Sequence, residues 1–176
     1  DGGGRFTDIG LWNGSAFNAA GMAQASMGVD AGDLDGDGRQ DIIVTNFTRD
    51  YSTLYRNMGD LFFEDVSSRY DLQRSTWDVL SWGCAFLDYD LDSDQDLVID
   101  NGHIYPQVDA HSELAETYRQ RIQLFAQEDG RLVDVGPQGG PGLQVAVSGR
   151  GLAVGDQDDD GDLGLLVSAI DRAPPL

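Results

Sequence analysis

The stretch that decides the fold is GVDAGDLDGDGRQDIIVTN, residues 28–46. A glycine is followed, after four residues, by a ladder of aspartates and then by an apolar triplet. The same layout returns as GCAFLDYDLDSDQDLVIDN at residues 83–101 and as GLAVGDQDDDGDLGLLVSA at residues 151–169. Self-similarity of this kind is the sequence signature of a repeat architecture. The chain is therefore predicted to consist of copies of one structural unit.

A second repeated element and two hairpins complete the unit. An aromatic or aliphatic residue, followed by x-Asp and a β-branched residue, occurs at residues 6–9, 63–66 and 132–135. Residues 53–63 and 123–133 each contain two short apolar runs around a polar turn with glycine, which is typical of a β-hairpin. The apolar triplets are continuous, as expected for strands covered on both faces. Each unit is thus predicted to hold four short strands, like a β-propeller blade, with the aspartates between the first two.

The predicted fold class is all-β, with about two complete propeller blades and two partial ones. Strands near Phe6 and Val167 would lack blade partners within this sequence, so we expect a fragment of something larger, or self-association through open blade edges. The expected division of the single propeller segment, residues 1–176, is the last strand of a preceding blade at 1–10, blades at 26–67 and 81–136, and the first half of a further blade at 149–170.

The connections between blades are rich in glycine, serine and proline. They span residues 10–25, 68–80 and 136–148 and would lie at one end of the propeller. Binding residues are found disproportionately on such loops. A protein or glycan partner is therefore expected there.

Acidic side chains dominate the charge of the chain. It has 31 Asp and Glu against 11 Lys and Arg, a formal net charge of −20. This charge excludes nucleic acid and anionic lipid as partners. No apolar run approaches the roughly 18 residues of a membrane span, so no membrane insertion is expected. The single cysteine, Cys84, cannot form an intrachain disulfide.

The aspartates of each ladder have the spacing of cation ligands. Calcium takes roughly six to eight oxygens, and alternate residues of a tight loop can point their oxygens at one centre. Carboxylates stand at loop positions 1, 3, 5 and 9 in DLDGDGRQD, residues 33–41, and the carbonyl of position 7 can turn inward. The predicted metal ligands are Asp33, Asp35, Asp37, Arg39 and Asp41 in the first loop, Asp88, Asp90, Asp92, Asp94 and Asp96 in the second, and Asp156, Asp158, Asp160 and Asp162 in the third.

The three loops are not equal. Ser93 replaces the position 6 glycine in the second loop, and Gly164 replaces the ninth aspartate in the third. Two well-formed calcium loops and a third, weaker one are therefore predicted. An EF-hand is excluded because position 12 falls on an apolar residue inside a strand. Solvated acidic turns without an ion are the alternative, but clustered like charges oppose folding unless a cation neutralises them.

Several stretches carry a resemblance to a known family: GDLDGDGRQDIIVTN, TLYRN, SWGCAFLDYD, NGHIYP, YRQR, SGRGLAVGD and GDLGLLVS. With them the chain resembles the FG-GAP/VCBS repeats of the ASPIC/UnbV-associated family, which includes the cartilage acidic proteins and has calcium loops like those of integrin α-subunit propellers. The resemblance implies an extracellular, cell-surface or periplasmic calcium-bound propeller used in recognition or adhesion. Departures are Leu91 and Ser93 for Asn and Gly, Gly164 for Asp, and LFAQ for LFRN.

Residues outside the loops suggest other chemistry. Cys84 aligns with core positions of the other repeats and is interpreted as a core residue. His103 could form a metal site with Asp109 and His111, or could hydrogen-bond locally. Trp82 is expected to pack in the core or between blades. Trp12 and Trp77 lie in connecting segments and could stack on sugars.

The leading functional prediction is a non-enzymatic, calcium-binding propeller module for adhesion, protein recognition or assembly. The first alternative is a carbohydrate-binding, lectin-like propeller. The second is a propeller-based polysaccharide-active enzyme. The chain has only two histidines, no nucleophile motif and no acid–base pair beyond the residues assigned to ions, all of which argue against an enzyme.

Overall fold

The computed structural model describes residues 3–170, which form three antiparallel sheets. The first sheet contains β1 (Val29–Gly32), β2 (Asp41–Val44), β3 (Thr53–Gly59) and β4 (Phe62–Asp65); the second contains β5 (Ser81–Leu87), β6 (Asp96–Asn101), β7 (Gln123–Glu128) and β8 (Arg131–Asp134); the third contains β9 (Gly149–Gly155) and β10 (Gly164–Ala169). Strands that are consecutive in sequence are neighbours in each sheet. The prediction of an all-β fold of propeller-like, four-stranded blades is confirmed.

Helical structure within residues 3–170 is limited to short turns. Two α-helical turns, α1 (Gly10–Asn13) and α2 (Leu72–Ser75), precede the first and second sheets. Three 3-10 turns occur at Pro106–Ala110, Ser112–Leu114 and Gly142–Gln144. None of the helices in this part of the chain has the length and apolar character needed to cross a membrane.

The start of the described chain differs from the sequence prediction. A strand was expected within residues 1–10, but the described residues 3–9 form none. A strand needs a hydrogen-bonded neighbour, and no strand of residues 3–170 pairs with this segment. Instead, the carbonyl of Ile9 accepts hydrogen bonds from Trp12 and Asn13 and begins a helical turn.

The second strand of the second sheet is covered on both faces. Leu97 and Ile99 are fully buried in one apolar cluster, which also contains Ile43 and Leu54 of the first sheet. Val98 points the other way, into a second cluster that includes Val167 of β10. Since side chains alternate along a strand, the continuous apolar triplet serves two cores.

The first two sheets approach closely at Gly28. The Thr45 hydroxyl donates to the carbonyl oxygen of Trp82 at 2.5 Å and accepts the N–H of Gly28 at 2.8 Å. A Cβ at Gly28 would lie 1.9 Å from the Trp82 carbonyl oxygen, so only glycine fits. The Phe86 N–H also donates to the Asp30 carboxylate at 2.8 Å. The two sheets are thus joined by polar contacts as well as by apolar packing.

The joint between the second and third sheets contains a buried acid. Asp100 aligns with Thr45 and is fully buried, and its carboxylate oxygens have no hydrogen bond of normal geometry among the described residues. A Cβ at Gly149 would lie 1.8 Å from one of these oxygens. Burial raises the pKa of Asp100 to about 7, although the charge of Arg150 and a backbone contact with Asn101 act in the opposite direction. The Arg150 guanidinium itself lies 4.5 Å from the Trp82 ring.

The raised pKa of Asp100 predicts that this joint weakens as the pH rises. The folded state keeps the Asp100 proton up to about pH 7, whereas the unfolded chain loses it near its ordinary pKa of 3.8. Stability is therefore lost between these two values, by up to about 4 kcal/mol in total. Asp100→Asn should remove this loss. In urea unfolding from about pH 5 to pH 8, the variant should gain stability over the native chain as pH rises to about 7 and then hold a constant advantage. A difference that does not change with pH would contradict this account.

Candidate metal centres

The first aspartate of each loop organises the loop through two backbone amides. Asp33 accepts the N–H groups of Asp37 at 3.0 Å and Gly38 at 2.8 Å. Asp88 makes the same two bonds at 3.0 Å, and Asp156 makes them at 3.2 and 3.1 Å. In all three loops the fifth-position aspartate accepts the N–H of the seventh residue at 2.9 to 3.0 Å. The loops therefore share one backbone conformation.

This conformation requires a left-handed backbone at positions 4 and 6. The sequence indicated only position 6. The φ angles at positions 4 and 6 are 69° and 86° at Gly36 and Gly38, 61° and 78° at Leu91 and Ser93, and 61° and 95° at Asp159 and Gly161. Only glycine adopts this conformation without steric cost, so the second loop is strained at both positions.

Each loop brings three carboxylates together. One oxygen from each residue lies within 4.8 Å of the others in the groups Asp33, Asp35 and Asp37; Asp88, Asp90 and Asp96; and Asp156, Asp158 and Asp160. Oxygens on opposite sides of a calcium ion are about 4.6 to 5.2 Å apart, twice the usual calcium–oxygen distance. Oxygen-only donors suit a hard divalent cation, and one Asp35 oxygen is buried without a hydrogen bond. The groups fit calcium.

The ninth-position aspartates of the first two loops also connect each of these loops to the third strand of its sheet. Asp41 accepts the N–H of Leu34 at 3.2 Å and that of Asn57 at 2.8 Å. Asp96 accepts the N–H groups of Tyr89 and Gln127, both at 2.9 Å. Burial raises the pKa of Asp41 and Asp96, and these backbone hydrogen bonds act in the opposite direction. Asp96 belongs to its carboxylate group, while Asp41 lies outside the first one.

The remaining predicted ligands lie outside the three carboxylate groups. Asp92 accepts the N–H of Asp94, and burial together with the charge of Asp92 raises the pKa of Asp94. Arg39 and Asp162 likewise donate their N–H to the fifth-position aspartate. The third loop, where Gly164 replaces the ninth aspartate, is exposed along residues 156–162.

Arginine side chains neutralise the first loop but not the second. The Arg56 guanidinium lies 2.5 Å from Asp35 and 3.4 Å from Asp37, which also pairs with Arg39. Asn57 and Gln127 make equivalent bonds, so Ala126 occupies the position of Arg56 in the second sheet. The sequence contains this difference, since TLYRN in the first repeat corresponds to QLFAQ in the second. Only the strand register of the structure, however, shows that the arginine reaches the aspartates.

The first two loops lie side by side. Residues of both loops, including Asp33, Asp35, Asp94 and Gln95, line a cleft of about 150 Å³. Asp33 and Asp35 of the first loop therefore share this cleft with Asp94 of the second. Like charges at this proximity repel, which raises the demand for cations beyond that of an isolated loop.

The two histidines and the cysteine, the other candidate functional residues, make structural contacts. His103 is buried; its Nε2 lies 3.3 Å from Glu116, and its Nδ1 accepts the Tyr105 N–H at 3.1 Å. Asp109 accepts the Tyr118 N–H, and His111 bonds Glu113, so within residues 3–170 the proposed histidine site is not assembled. Cys84 packs against the first apolar cluster, and burial raises the pKa of its thiol to about 12.

Comparison with known proteins identifies one repeat. Residues 33–99 match the family described as FG-GAP-like repeat. The match begins at the first aspartate of the first loop and ends in β6, after the second loop. No curated protein shows significant similarity to the chain.

Glycine substitutions in the second loop should stabilise the protein. Leu91→Gly and Ser93→Gly relieve left-handed strain, and each is expected to raise the free energy of unfolding by about 0.5 to 1 kcal/mol. The matched control is Gly38→Ala, where a new Cβ meets no atom within 4 Å and adds strain alone. Denaturant unfolding should show the opposite sign for the control. Loss of stability in Ser93→Gly would contradict the prediction.

Exchanging arginine and alanine at the equivalent positions 56 and 126 should change the calcium affinities of the first two loops in opposite directions. Arg56→Ala removes a competing positive charge, so calcium should bind the first loop more tightly. Ala126→Arg adds one and should weaken the second loop. We expect changes of about tenfold in each direction, measured by calorimetric titration. Arg131→Ala, on the neighbouring strand β8, is the control for a lost charge elsewhere. A gain in calcium affinity for Arg131→Ala as large as that for Arg56→Ala would show that only net charge matters.

Proposed function

We propose that this chain, which contains an FG-GAP-like repeat at residues 33–99, is a calcium-binding β-propeller repeat module. The observation that carries the proposal is the threefold recurrence of one loop scaffold, with the same hydrogen bonds to the first and fifth aspartates. Isolated acidic turns would not share this geometry. Three carboxylates gathered within 4.8 Å in each loop supply the charge that a cation would neutralise.

Calcium fits the loops better than other common cations. Zinc and copper favour nitrogen and sulfur donors, whereas the groups offer carboxylate oxygens alone. Magnesium demands near-ideal octahedral geometry and usually keeps several waters. The loops provide several closely spaced carboxylates and backbone groups from one short segment. This arrangement suits the larger and more adaptable coordination shell of calcium.

A bound cation would act on the structure rather than on a substrate. It would hold together the turn between the first and second strands of each sheet and cancel the repulsion between adjacent loops. The third loop has Gly164 in place of the ninth aspartate, so we propose that it binds most weakly.

The role we propose is recognition or adhesion outside the cytoplasm, without enzymatic activity. Extracellular calcium-binding modules have dissociation constants of about 10⁻⁴ to 10⁻³ M, and a similar affinity here would match extracellular but not cytosolic calcium. We further propose membership of the ASPIC/UnbV-associated family, a resemblance carried by the acidic loops together with the NGHIYP stretch and the blade spacing. In the structure, buried His103 of NGHIYP contacts Glu116, which in turn lies 3.5 Å from Arg49 in the segment between β2 and β3. The segment between β6 and β7 therefore helps to hold the first and second sheets together.

The absence of enzymatic activity is supported by the state of the candidate catalytic groups. The Cys84 thiol has a pKa of about 12 and stays protonated, which makes it a poor nucleophile. His103 is engaged through both ring nitrogens, and His111 is paired with Glu113 at the surface. Neither histidine nor Cys84 lines the cleft between the first two loops.

Calcium should raise the thermal stability of the protein. At about 1 mM free calcium, each occupied loop is expected to add roughly 0.4 to 1.4 kcal/mol. Melting should therefore show a higher midpoint with calcium than with chelator, and magnesium at the same concentration should have a smaller effect.

Loop variants test where that stabilisation arises. Asp33→Asn and Asp88→Asn should each remove most of one loop's share, while Asp156→Asn should remove the least. Asp60→Asn, in the β3–β4 turn, is the control for a lost negative charge outside the loops. The same melting midpoint in calcium and in chelator would refute the proposed function.

A further inference from the structure

A pocket lies outside the acidic loops, between the first sheet and the segment that leads to the second. Tyr51, Gln73, Arg74, Trp77 and Asp78 line it, and its volume is about 390 Å³. Gln73 and Arg74 belong to α2, and the two residues after Thr76 form the opposite wall. This volume falls within the range of pockets that bind small ligands or single side chains.

The walls of this pocket, which we call the Trp77 pocket, are fixed by buried hydrogen bonds. The Thr76 hydroxyl donates to the Leu72 carbonyl oxygen at 2.7 Å and accepts the Ser52 N–H at 2.8 Å. The Trp77 carbonyl oxygen accepts the Arg49 N–H at 2.7 Å. Trp77 nevertheless exposes 45% of its surface. The backbone is therefore anchored on both sides of an indole that faces solvent.

The chemistry of the Trp77 pocket favours a cation. An exposed indole face attracts positive charge through the ring quadrupole, and Asp78, the next residue in the chain, supplies an acidic side chain to the same pocket lining. The Tyr51 hydroxyl donates to Asp65 at 2.8 Å, which places a second carboxylate behind the pocket wall, and burial raises the pKa of Tyr51 to about 12. Elsewhere in the same molecule, Arg150 lies over Trp82 at 4.5 Å and shows this contact between an arginine and an indole.

The charge of the whole chain points in the same direction. At −20 the protein repels anionic ligands and attracts cationic ones, and three bound calcium ions would leave it strongly negative. The one positive side chain of the pocket, Arg74, is 88% exposed at the rim, with its Nε 3.7 Å from the Asp71 carboxylate. Asp71 thus offsets part of the positive charge of Arg74.

We propose that the Trp77 pocket receives an arginine or lysine side chain from a basic protein partner. The guanidinium or ammonium group would lie over the Trp77 ring, with Asp78 as its counterion. Arginine is favoured over lysine because its planar group stacks on the ring while it hydrogen-bonds a carboxylate. This inference rests on the proposed role in protein recognition, and it adds the chemistry of the partner.

The test uses short peptides that carry one charge, so that general attraction to an acidic protein stays weak. The probes are N-acetyl-Gly-Arg-Gly-amide and its Lys and Glu counterparts, together with a panel of neutral methyl glycosides. Binding is followed at physiological salt through the indole N–H resonances of the three tryptophans in NMR spectra, assigned by substitution. The Trp77 resonance should shift with the Arg peptide, more weakly with the Lys peptide, and not with the others. The Trp12 resonance, from an indole outside the pocket, should stay constant.

Three substitutions in the pocket and one control outside it separate a cation from other occupants. Followed in every variant through the backbone amide resonances of the pocket residues, binding of the Arg peptide should weaken about three- to tenfold in Trp77→Ala and in Asp78→Asn. It should stay unchanged in Trp12→Ala. Arg74→Gln should strengthen it, because a like charge is removed. If a neutral glycoside shifts the Trp77 resonance and the Arg peptide does not, the pocket binds sugars and the proposal is overturned. Weaker peptide binding in Arg74→Gln would also overturn it.

The two proposals can fail separately. The peptide titration is repeated in calcium and in chelator below the melting temperature found in each. Because the pocket residues lie outside the aspartate loops, binding of the Arg peptide should persist in chelator. Peptide binding without calcium stabilisation would refute only the calcium sites, and calcium stabilisation without peptide binding would refute only the Trp77 pocket.

Discussion

Two successive backbone amides donate to the first aspartate of every loop, and this closure is the constraint on which the rest of the structure depends. It turns the chain back so that the residue before the loop pairs with its ninth residue, as in Gly32 with Asp41 and Leu87 with Asp96. The pairing sets the register of the first two strands of each sheet. It also gathers the carboxylates of alternate residues on one side of the turn. The demand for a cation is therefore a consequence of how the strands are joined.

The three loops meet that demand in different ways. The first contains Arg56 and Arg39 beside its aspartates, so part of its charge is neutralised within the chain. The second has alanine at the position of Arg56, carries strain at Leu91 and Ser93, and faces the first loop across a narrow cleft. The third is exposed to solvent and lacks the ninth aspartate. One backbone scaffold therefore supports three electrostatic environments, and the second loop is left most dependent on an external ion.

The sequence was sufficient for the repeat, the strands and the loops, because these depend on local patterns that recur. A continuous apolar triplet such as Ile42, Ile43 and Val44 predicts a strand covered on both faces without knowledge of the rest of the fold. Contacts made across sheets could not be predicted, because they depend on register and on the approach of backbones. In the sequence, nothing distinguishes Asp100 from the other acidic residues. The structure shows that Asp100 is buried and that Gly149 approaches its carboxylate closely. The strand expected near Phe6 failed for the same reason, since no local pattern reveals whether a partner strand lies alongside.

The repeated sheets and the unrepeated connecting segments of the molecule have different roles. Thr45 and Asp100 occupy equivalent positions near the end of the second strand of successive sheets. The neighbouring backbone approaches so closely there, at Gly28 and at Gly149, that neither glycine can carry a Cβ. The connecting segments have no such restriction. Residues 68–80 contain Trp77 and a pocket, whereas residues 136–148 contain glycine, proline and a buried Leu143. The repeat thus fixes the spacing and orientation of the sheets, while the unrepeated connections are free to acquire binding chemistry. Recognition by this chain is therefore expected to be specific to the junction of the first two sheets.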